Sequence, residues 1–205
     1  QKSFQISASD SDGGTPAISI KDTSENIFSY ISGDELTLTP NLNYFGDDSI
    51  SLQITDGITK VVQPIYIKVK NTPDPPQSFE WVSVASDTIN ITQSNLVDVY
   101  KLEWKESKDV DGDAINYLLY AGTGAYQKEE VYDTTSTSVL IPYQEFLENV
   151  FEQIPMLPAA TVRFSVKATD GIDTVNVTGE DRVVYVNRYD YLSTDDIAAP
   201  TDFAL

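Results

Sequence analysis

The 205-residue sequence contains no cysteine and no histidine. Disulfides are therefore excluded, and any cross-linking of the fold must come from packing or a metal ion. Thiolate and imidazole ligands are excluded too, which makes a zinc or copper centre improbable. Ser-His-Asp and Cys-His catalysis cannot be assembled. Basic residues are scarce, with 13 Lys and Arg against 32 Asp and Glu and a net charge of −19. A surface of that sign repels phosphate backbones and anionic lipid, so no nucleic-acid partner is expected, and it attracts divalent cations. No run approaches the length of 18 apolar residues that signals a membrane helix, so no membrane insertion is expected.

Apolar residues make up 40% of the chain, which is low but enough for cores. Thr, Val, Ile and Tyr are abundant and favour pleated, half-buried surfaces. Alternation is the main pattern. Phe4, Ile6 and Ala8 share one face of "SFQISAS", and Leu36 and Leu38 share one face of "ELTLTP". Ile50, Leu52 and Ile54 point inward before a turn at Asp56-Gly57, and Ile65, Ile67 and Val69 return. Pro64 donates no hydrogen bond, which predicts an edge or a bulge in that strand. "NTPDPPQ" then reads as a stiff, extended linker. Beyond it the scheme repeats. Leu102 and Trp104 share a face, "AINYLLYA" is a mostly apolar strand, Val162, Phe164, Val166 and Ala168 are buried, and a turn follows at Asp170-Gly171. "ITDGITKVV" and "ATDGIDTVNV" are the same strand, Thr-Asp-Gly turn, strand unit in the two halves.

One segment departs from β periodicity. Tyr143, Phe146, Leu147, Val150, Phe151 and Ile154 form a stripe at helical spacing, which predicts a short helix from about Pro142 to Gln153 covering one end of the core. The opening "PPQSFEW" returns near the end as "APTDFAL", with Pro200, Phe203 and Leu205 at the offsets of Pro76, Phe79 and Trp81. Together with a start inside strand-like sequence, this predicts a slice of a longer tandem array. The predicted division is a first domain over 1–72, a linker over 73–76, a second domain over 77–189, and a linker with the start of a third module over 190–205.

These residues carry two resemblances. Thr39-Pro40-Asn41, Asn43-Tyr44-Phe45-Gly46, Asp56-Gly57 and Asn71-Thr72-Pro73-Asp74-Pro75 resemble the cadherin-like tandem repeats of large bacterial surface proteins. They cover nearly all of the first domain, which lacks the first strand of that pattern. Trp104, Asp109 to Asp113, Tyr117, Tyr120 and Val166 to Gly171 resemble bacterial fibronectin type III-like modules, with the helix as an elaboration. The resemblance implies an all-β chain of two tandem immunoglobulin-like or cadherin-like β-sandwiches, the second with one short inserted helix. It implies an extracellular or cell-surface location, spacer and adhesion roles, and calcium between domains. The sandwich fold by itself implies no activity.

The acidic loop "DVDGD" carries Asp109, Asp111 and Asp113. It is not an EF-hand. Counted from Asp109, position six is Ala114 instead of Gly and position twelve is Tyr120 instead of Glu. Calcium nevertheless takes about 6–8 hard oxygens in irregular geometry, which suits alternate carboxylates around a bendable glycine. Loops at one end of a sandwich converge. Asp109, Asp111, Asp113 and Asp170 are therefore expected near Asn71 and Asp74, with Asp47 or Asp48 reaching the junction from the first domain. Asp10, Asp12 and Asp56 repeat the arrangement at the far end of that domain. The alternative is solvated Asp-Gly turns whose side chains cap backbone amides. Tyr44 is expected to anchor its hydroxyl on backbone, as a tyrosine corner does. The sequons at Asn90 and Asn176 are short patterns of high chance occurrence.

The expected function is a non-catalytic spacer or adhesion segment rigidified by calcium, whose partners are neighbouring domains of the same chain. A self-assembling module of a filament, sheath or surface layer, contacting copies of itself, is the first alternative. A carbohydrate-binding module is another, with Tyr117, Tyr120, Tyr126 and Tyr132 as clustered aromatics facing a surface glycan. Two carboxylates roughly 5–9.5 Å apart can hydrolyse glycosides without His or Cys, but no pattern sets such a pair in a cleft, so no enzyme is expected.

Overall fold

The structure is a computed structural model that describes residues 1–124, 127–152 and 154–192. The repeated element at Pro200, Phe203 and Leu205, and Tyr126, lie outside these residues. The chain divides into two compact units, Gln1–Pro73 and Asp74–Leu205. Both are β-sandwiches, so the fold class is all-β with immunoglobulin-like modules in tandem. No helix among the described residues is long and apolar enough to cross a membrane.

The first unit holds β1 (Lys2–Gln5), β2 (Ala17–Asp22), β3 (Ile27–Ser32), β4 (Glu35–Pro40), β5 (Gly46–Thr55) and β6 (Lys60–Val69). They form two three-stranded sheets, ordered β1-β4-β3 and β2-β5-β6. Alternation places Leu36 and Leu38 of β4 and Ile50 and Leu52 of β5 in the core, with Ile27. Ile6, Ile18, Ile65, Ile67 and Val69 pack partly against them. Phe4, expected on the inward face, is 42% exposed. Pro64 stands on the edge strand β6 opposite Ser51, and the β5–β6 register runs without a shift, so the edge and not a bulge accommodates it. Tyr44 follows Asn43, whose φ is +60°, and its hydroxyl lies 3.2 Å from the Asp47 carbonyl. That is the expected anchoring on backbone.

The second unit holds β7 (Ser86–Asn90), β8 (Val99–Glu103), β9 (Asn116–Thr123), β10 (Glu129–Thr134), β11 (Ser138–Pro142), β12 (Ala159–Thr169), β13 (Thr174–Asn176) and β14 (Arg182–Asn187). One sheet runs β10-β9-β12-β14-β7 with β13 beside β12, and β8 pairs with β11 in the other. β7 joins β14 in parallel, while the remaining ladders of this unit are antiparallel. The core between the sheets includes Leu102, Trp104, Tyr117, Leu119, Phe164, Val166 and Val184, all at most 2% exposed. The predicted helix is one α-turn, α1 (Tyr143–Phe146), that widens into a π-type turn over Leu147–Phe151. Pro142 ends β11 in an extended conformation, φ −58° and ψ 143°, and so caps the helix instead of opening it. Phe146, Val150 and Phe151 are buried, and Tyr143, Leu147 and Ile154 pack against the same cluster. Arg188 is also buried. Its guanidinium donates to the carbonyls of Pro155 (2.5 Å) and Leu157 (3.0 Å) and stacks 4.1 Å from the Phe151 ring centroid. A second helical turn, α2 (Tyr189–Leu192), follows β14.

Candidate metal centre

β8 ends at Glu103, and β9 does not begin until Asn116. The intervening loop is fixed at its start by Ser107, which is 3% exposed. Its N–H donates to the Tyr117 hydroxyl at 2.8 Å and its Oγ donates to the Gln77 carbonyl at 2.5 Å. Gln77 N–H returns a bond to the Lys108 carbonyl at 2.8 Å. Tyr117 can serve as this post because its ring is held by Trp104 and Phe79, at centroid distances of 5.5 and 5.6 Å. Burial pushes its phenol up from the ordinary value, so it is neutral at physiological pH.

Past Ser107 the loop folds on Asp109. One oxygen, Oδ1, accepts from the N–H groups of Asp111 (2.7 Å) and Asp113 (3.3 Å). Gly112 follows at φ +84°, a conformation costly for any side chain with a Cβ. Asp111 Oδ2 in turn accepts from the Asp74 N–H at 2.9 Å, so the acidic loop holds the backbone that leads into this unit. Asp109, Asp111 and Asp113 each present one carboxylate oxygen, all within 4.8 Å of one another. Calcium binds oxygens at 2.3–2.6 Å, so ligands on opposite sides of one ion stand about 5 Å apart. The spacing fits that ion. Asp109 Oδ2 is shielded from solvent and meets no donor. A carboxylate oxygen in that state calls for a cation or a water.

Asp170 shares the second unit but serves its own turn. Its Oδ1 accepts from Ile172 N–H (2.7 Å) and Asp173 N–H (2.6 Å), and these amides, Asp173 first, hold its carboxyl below the ordinary range. Its Oδ2 is shielded and unpartnered, like that of Asp109. Asp170 does not join the converging trio.

The candidates in the first unit are dispersed over other tasks. Asp56 Oδ1 accepts from Thr59 N–H (2.6 Å) and Ile58 N–H (2.8 Å), which lower its pKa. Asp10 Oδ1 accepts from Asp12 N–H at 3.1 Å, and among the described residues no third carboxylate joins them. Asp48 accepts from Ser24 Oγ (2.5 Å), Ser49 N–H (2.6 Å) and Asn26 Nδ2 (3.1 Å), and its carboxyl is lowered chiefly by the Ser24 bond. It thus ties the bend before β3 to β5. Asp47 is exposed and lies 3.8 Å from Lys68 Nζ. Asn71 is exposed at the end of this unit.

Sequence reasoning missed Ser107 as the residue that positions the loop. A buried serine leaves no trace in hydropathy. The available signal was its place two residues ahead of the first aspartate. Of the clustered tyrosines, Tyr117 is buried, Tyr132 packs on the core with its hydroxyl donating to Glu145 at 2.5 Å, and Tyr120 is half-buried with its hydroxyl donating to Glu130 at 3.3 Å.

No curated protein matches the sequence. Among solved structures, the chain is similar to human protocadherin-24 EC1-2 (9% identity, 90% of this chain and 87% of that one, TM-score 0.45). It is also similar to mouse clustered PcdhgC3 EC1-3 (14%, 91% and 61%, TM-score 0.44). A third likeness is to the endo-fucoidan hydrolase MfFcnA4 of glycoside hydrolase family 107 (14% identity, TM-score 0.29). It covers 91% of this chain, which spans 25% of that hydrolase's length. Residues 1–64, almost the whole of the first sandwich, match the family model of the bacterial Ig domain.

Proposed function

We propose that the chain is a non-catalytic, extracellular spacer or adhesion segment of a bacterial surface protein, and that calcium at Asp109, Asp111 and Asp113 stiffens the entry to its second sandwich. The convergence of these three carboxylates on one another, with Asp111 accepting the Asp74 N–H, is the observation that carries this reading. Without a cation the three acids repel. With calcium they form one rigid body with the segment Asp74–Gln77, which Ser107 and Lys108 already hold. Extracellular modules of this type bind with dissociation constants of about 10⁻⁴–10⁻³ M. Binding to the folded loop stabilises it by mass action.

The test is small-angle scattering of the full chain with millimolar calcium and with chelator, beside Asp111→Ala/Asp113→Ala. The expected result is a narrower distribution of shapes with calcium in the wild type and no change in the variant. An identical wild-type profile in both conditions would defeat the proposed stiffening by calcium.

A second reading rests on a separate observation. Phe28 and Tyr30 stand 65% and 55% exposed at alternate positions of the edge strand β3, opposite Thr39 and Thr37. A flat aromatic and hydroxyl face of this kind suits stacking against a surface glycan. Glycan-array binding lost in Phe28→Ala/Tyr30→Ala would support it, and an array with no binding would remove it.

A further inference from the structure

β3 ends its sheet on the side away from β1, with β4 between them. Among the described residues no strand pairs with its outer side. Exposed sheet edges are ordinarily blunted by charge, proline or a bulge, because a bare edge pairs with another chain. Other edge strands of this protein carry such devices. β2 has Lys21 and Asp22, with a register irregularity between Ile20 and Asp22, and β6 has Pro64. β10 has Glu129, Glu130 and Asp133, with an irregularity between Glu130 and Tyr132. β3 reads IFSYIS, with no charge, no proline and an unbroken register on β4.

The ladder determines which backbone groups of β3 are free. Asn26 C=O accepts from Asn41 N–H at 2.8 Å, and Ser32 stands opposite Glu35 across the two-residue turn Gly33-Asp34. Antiparallel pairs alternate between hydrogen-bonded and non-hydrogen-bonded. Phe28, Tyr30 and Ser32 therefore bond to β4, while Ile27, Ser29 and Ile31 turn their N–H and C=O groups outward. The Ile27 N–H is already taken, donating to Ser24 Oγ at 3.0 Å. Ser29 and Ile31 remain, one to either side of Tyr30. Two donors and two acceptors so placed are their own complement about a two-fold axis through Tyr30.

We propose that β3 is a self-association edge. A second copy of this chain adds to it antiparallel, with Ser29 of each copy opposite Ile31 of the other and Tyr30 opposite Tyr30. Four backbone hydrogen bonds then join the two three-stranded sheets into one. A pairing centred on Ser29 would instead set Ile31 against the N–H that Ser24 already holds. The same cap leaves a longer foreign strand without a donor at Ile27, which favours a second copy as the occupant. Charge permits the approach. Phe28, Ser32, Thr37 and Thr39 around Tyr30 are uncharged. The first unit has 9 acidic and 5 basic residues in a chain of net charge −19, so most of the repulsion resides in the second unit. Edge pairing leaves the outer aromatic face open, so this inference depends on neither the calcium nor the glycan reading.

The chain has no cysteine, so a single introduced one reports the register. In the proposed pairing the two Tyr30 Cα atoms form a non-hydrogen-bonded pair about 4.5 Å apart, within disulfide reach, whereas the two Phe28 Cα atoms stand about 14 Å apart. The full chain carrying Tyr30→Cys or Phe28→Cys is treated with a mild thiol oxidant at about 0.5 mM chain in about 0.5 M salt, which screens the net charge. Tyr30→Cys should cross-link at least about tenfold faster than Phe28→Cys. In the wild type, amide exchange at Ser29 and Ile31 should slow at least about fivefold between about 10 μM and about 1 mM chain. Tyr30 is 55% exposed, so Tyr30→Lys and Tyr30→Glu leave the core untouched. Each should lose that slowing, because like charges meet at the axis, and an equal mixture of the two should regain it. Equal cross-linking rates, exchange independent of concentration, or a mixture no different from either variant alone would each overturn the proposal.

Discussion

The Asp-x-Asp-Gly loop occurs twice, at Asp10–Gly13 and at Asp109–Gly112. Both copies close the same way. The first aspartate accepts the N–H of the second, at 3.1 Å in one and 2.7 Å in the other, and the glycine follows at φ +87° or +84°. They differ at the next position, which is Gly14 in the first and Asp113 in the second. They differ also in support. Asp111 receives the Asp74 amide, and Ser107 ties the second loop to Tyr117 and Gln77. One backbone turn thus serves two ends. Alone it is an Asx turn that caps amides. With a third acid and a clamped neighbouring strand it becomes three convergent oxygens.

This difference can be broken by substitution, and Asp109→Ala should have the largest effect. It removes the acceptor for two amides and a proposed calcium ligand at once. In chelator the second unit should lose about 1–2 kcal/mol, and its response to calcium should vanish. Asp111→Ala should cost less in chelator, about 1 kcal/mol for the Asp74 bond, with the same loss of response. Asp10→Ala should leave calcium binding intact and shift only the melting of the first unit. Differential scanning calorimetry with and without calcium reads all three.

The Thr-Asp-Gly turns supply a control in which the two units agree. Thr55 Oγ1 donates to the Thr59 carbonyl at 2.8 Å and Thr169 Oγ1 to the Asp173 carbonyl at 2.7 Å. Asp56 and Asp170 both have pKa values lowered by backbone amides. A lowered folded-state value stabilises the native state above the unfolded pKa, and that contribution is lost as pH falls through the folded pKa. Each turn should therefore weaken below the ordinary carboxylate value of 3.8 and be insensitive to pH near neutrality. Asp56→Asn and Asp170→Asn should flatten that acid limb equally, as urea midpoints across pH would show. The smallest effect is expected from Lys68→Ala. It removes an exposed pair worth less than about 0.5 kcal/mol and leaves the midpoint within error.

The sequence made legible what periodicity encodes. Leu36, Leu38, Ile50, Leu52, Val162, Phe164, Val166 and Ala168 are buried as alternation requires. The stripe from Tyr143 to Ile154 packs on the core as helical spacing requires. Phe4 broke the pattern: it sits on β1, the end strand of its sheet, and is 42% exposed. Pro142 shifted by one role, since a ring fixed near φ −65° fits the end of a strand as well as the start of a helix. The acidic loop was legible as a set of ligand types. What fixes the loop that brings the three together was not, because that depends on Ser107 and on a tyrosine hydroxyl emerging from the core, and neither has a periodic signature. Asp47 and Asp48 looked equivalent in sequence, but neighbouring donors engage Asp48 and leave Asp47 on the surface.

Isothermal titration of calcium into the full chain tests the proposed metal centre most directly, with Asp111→Ala/Asp113→Ala alongside. The account predicts a binding event at about 10⁻⁴–10⁻³ M in the wild type that is absent from the double variant, while both retain the same β-sheet spectrum. No heat of binding in the wild type, or the same isotherm in both proteins, would contradict it and leave these aspartates as turn residues.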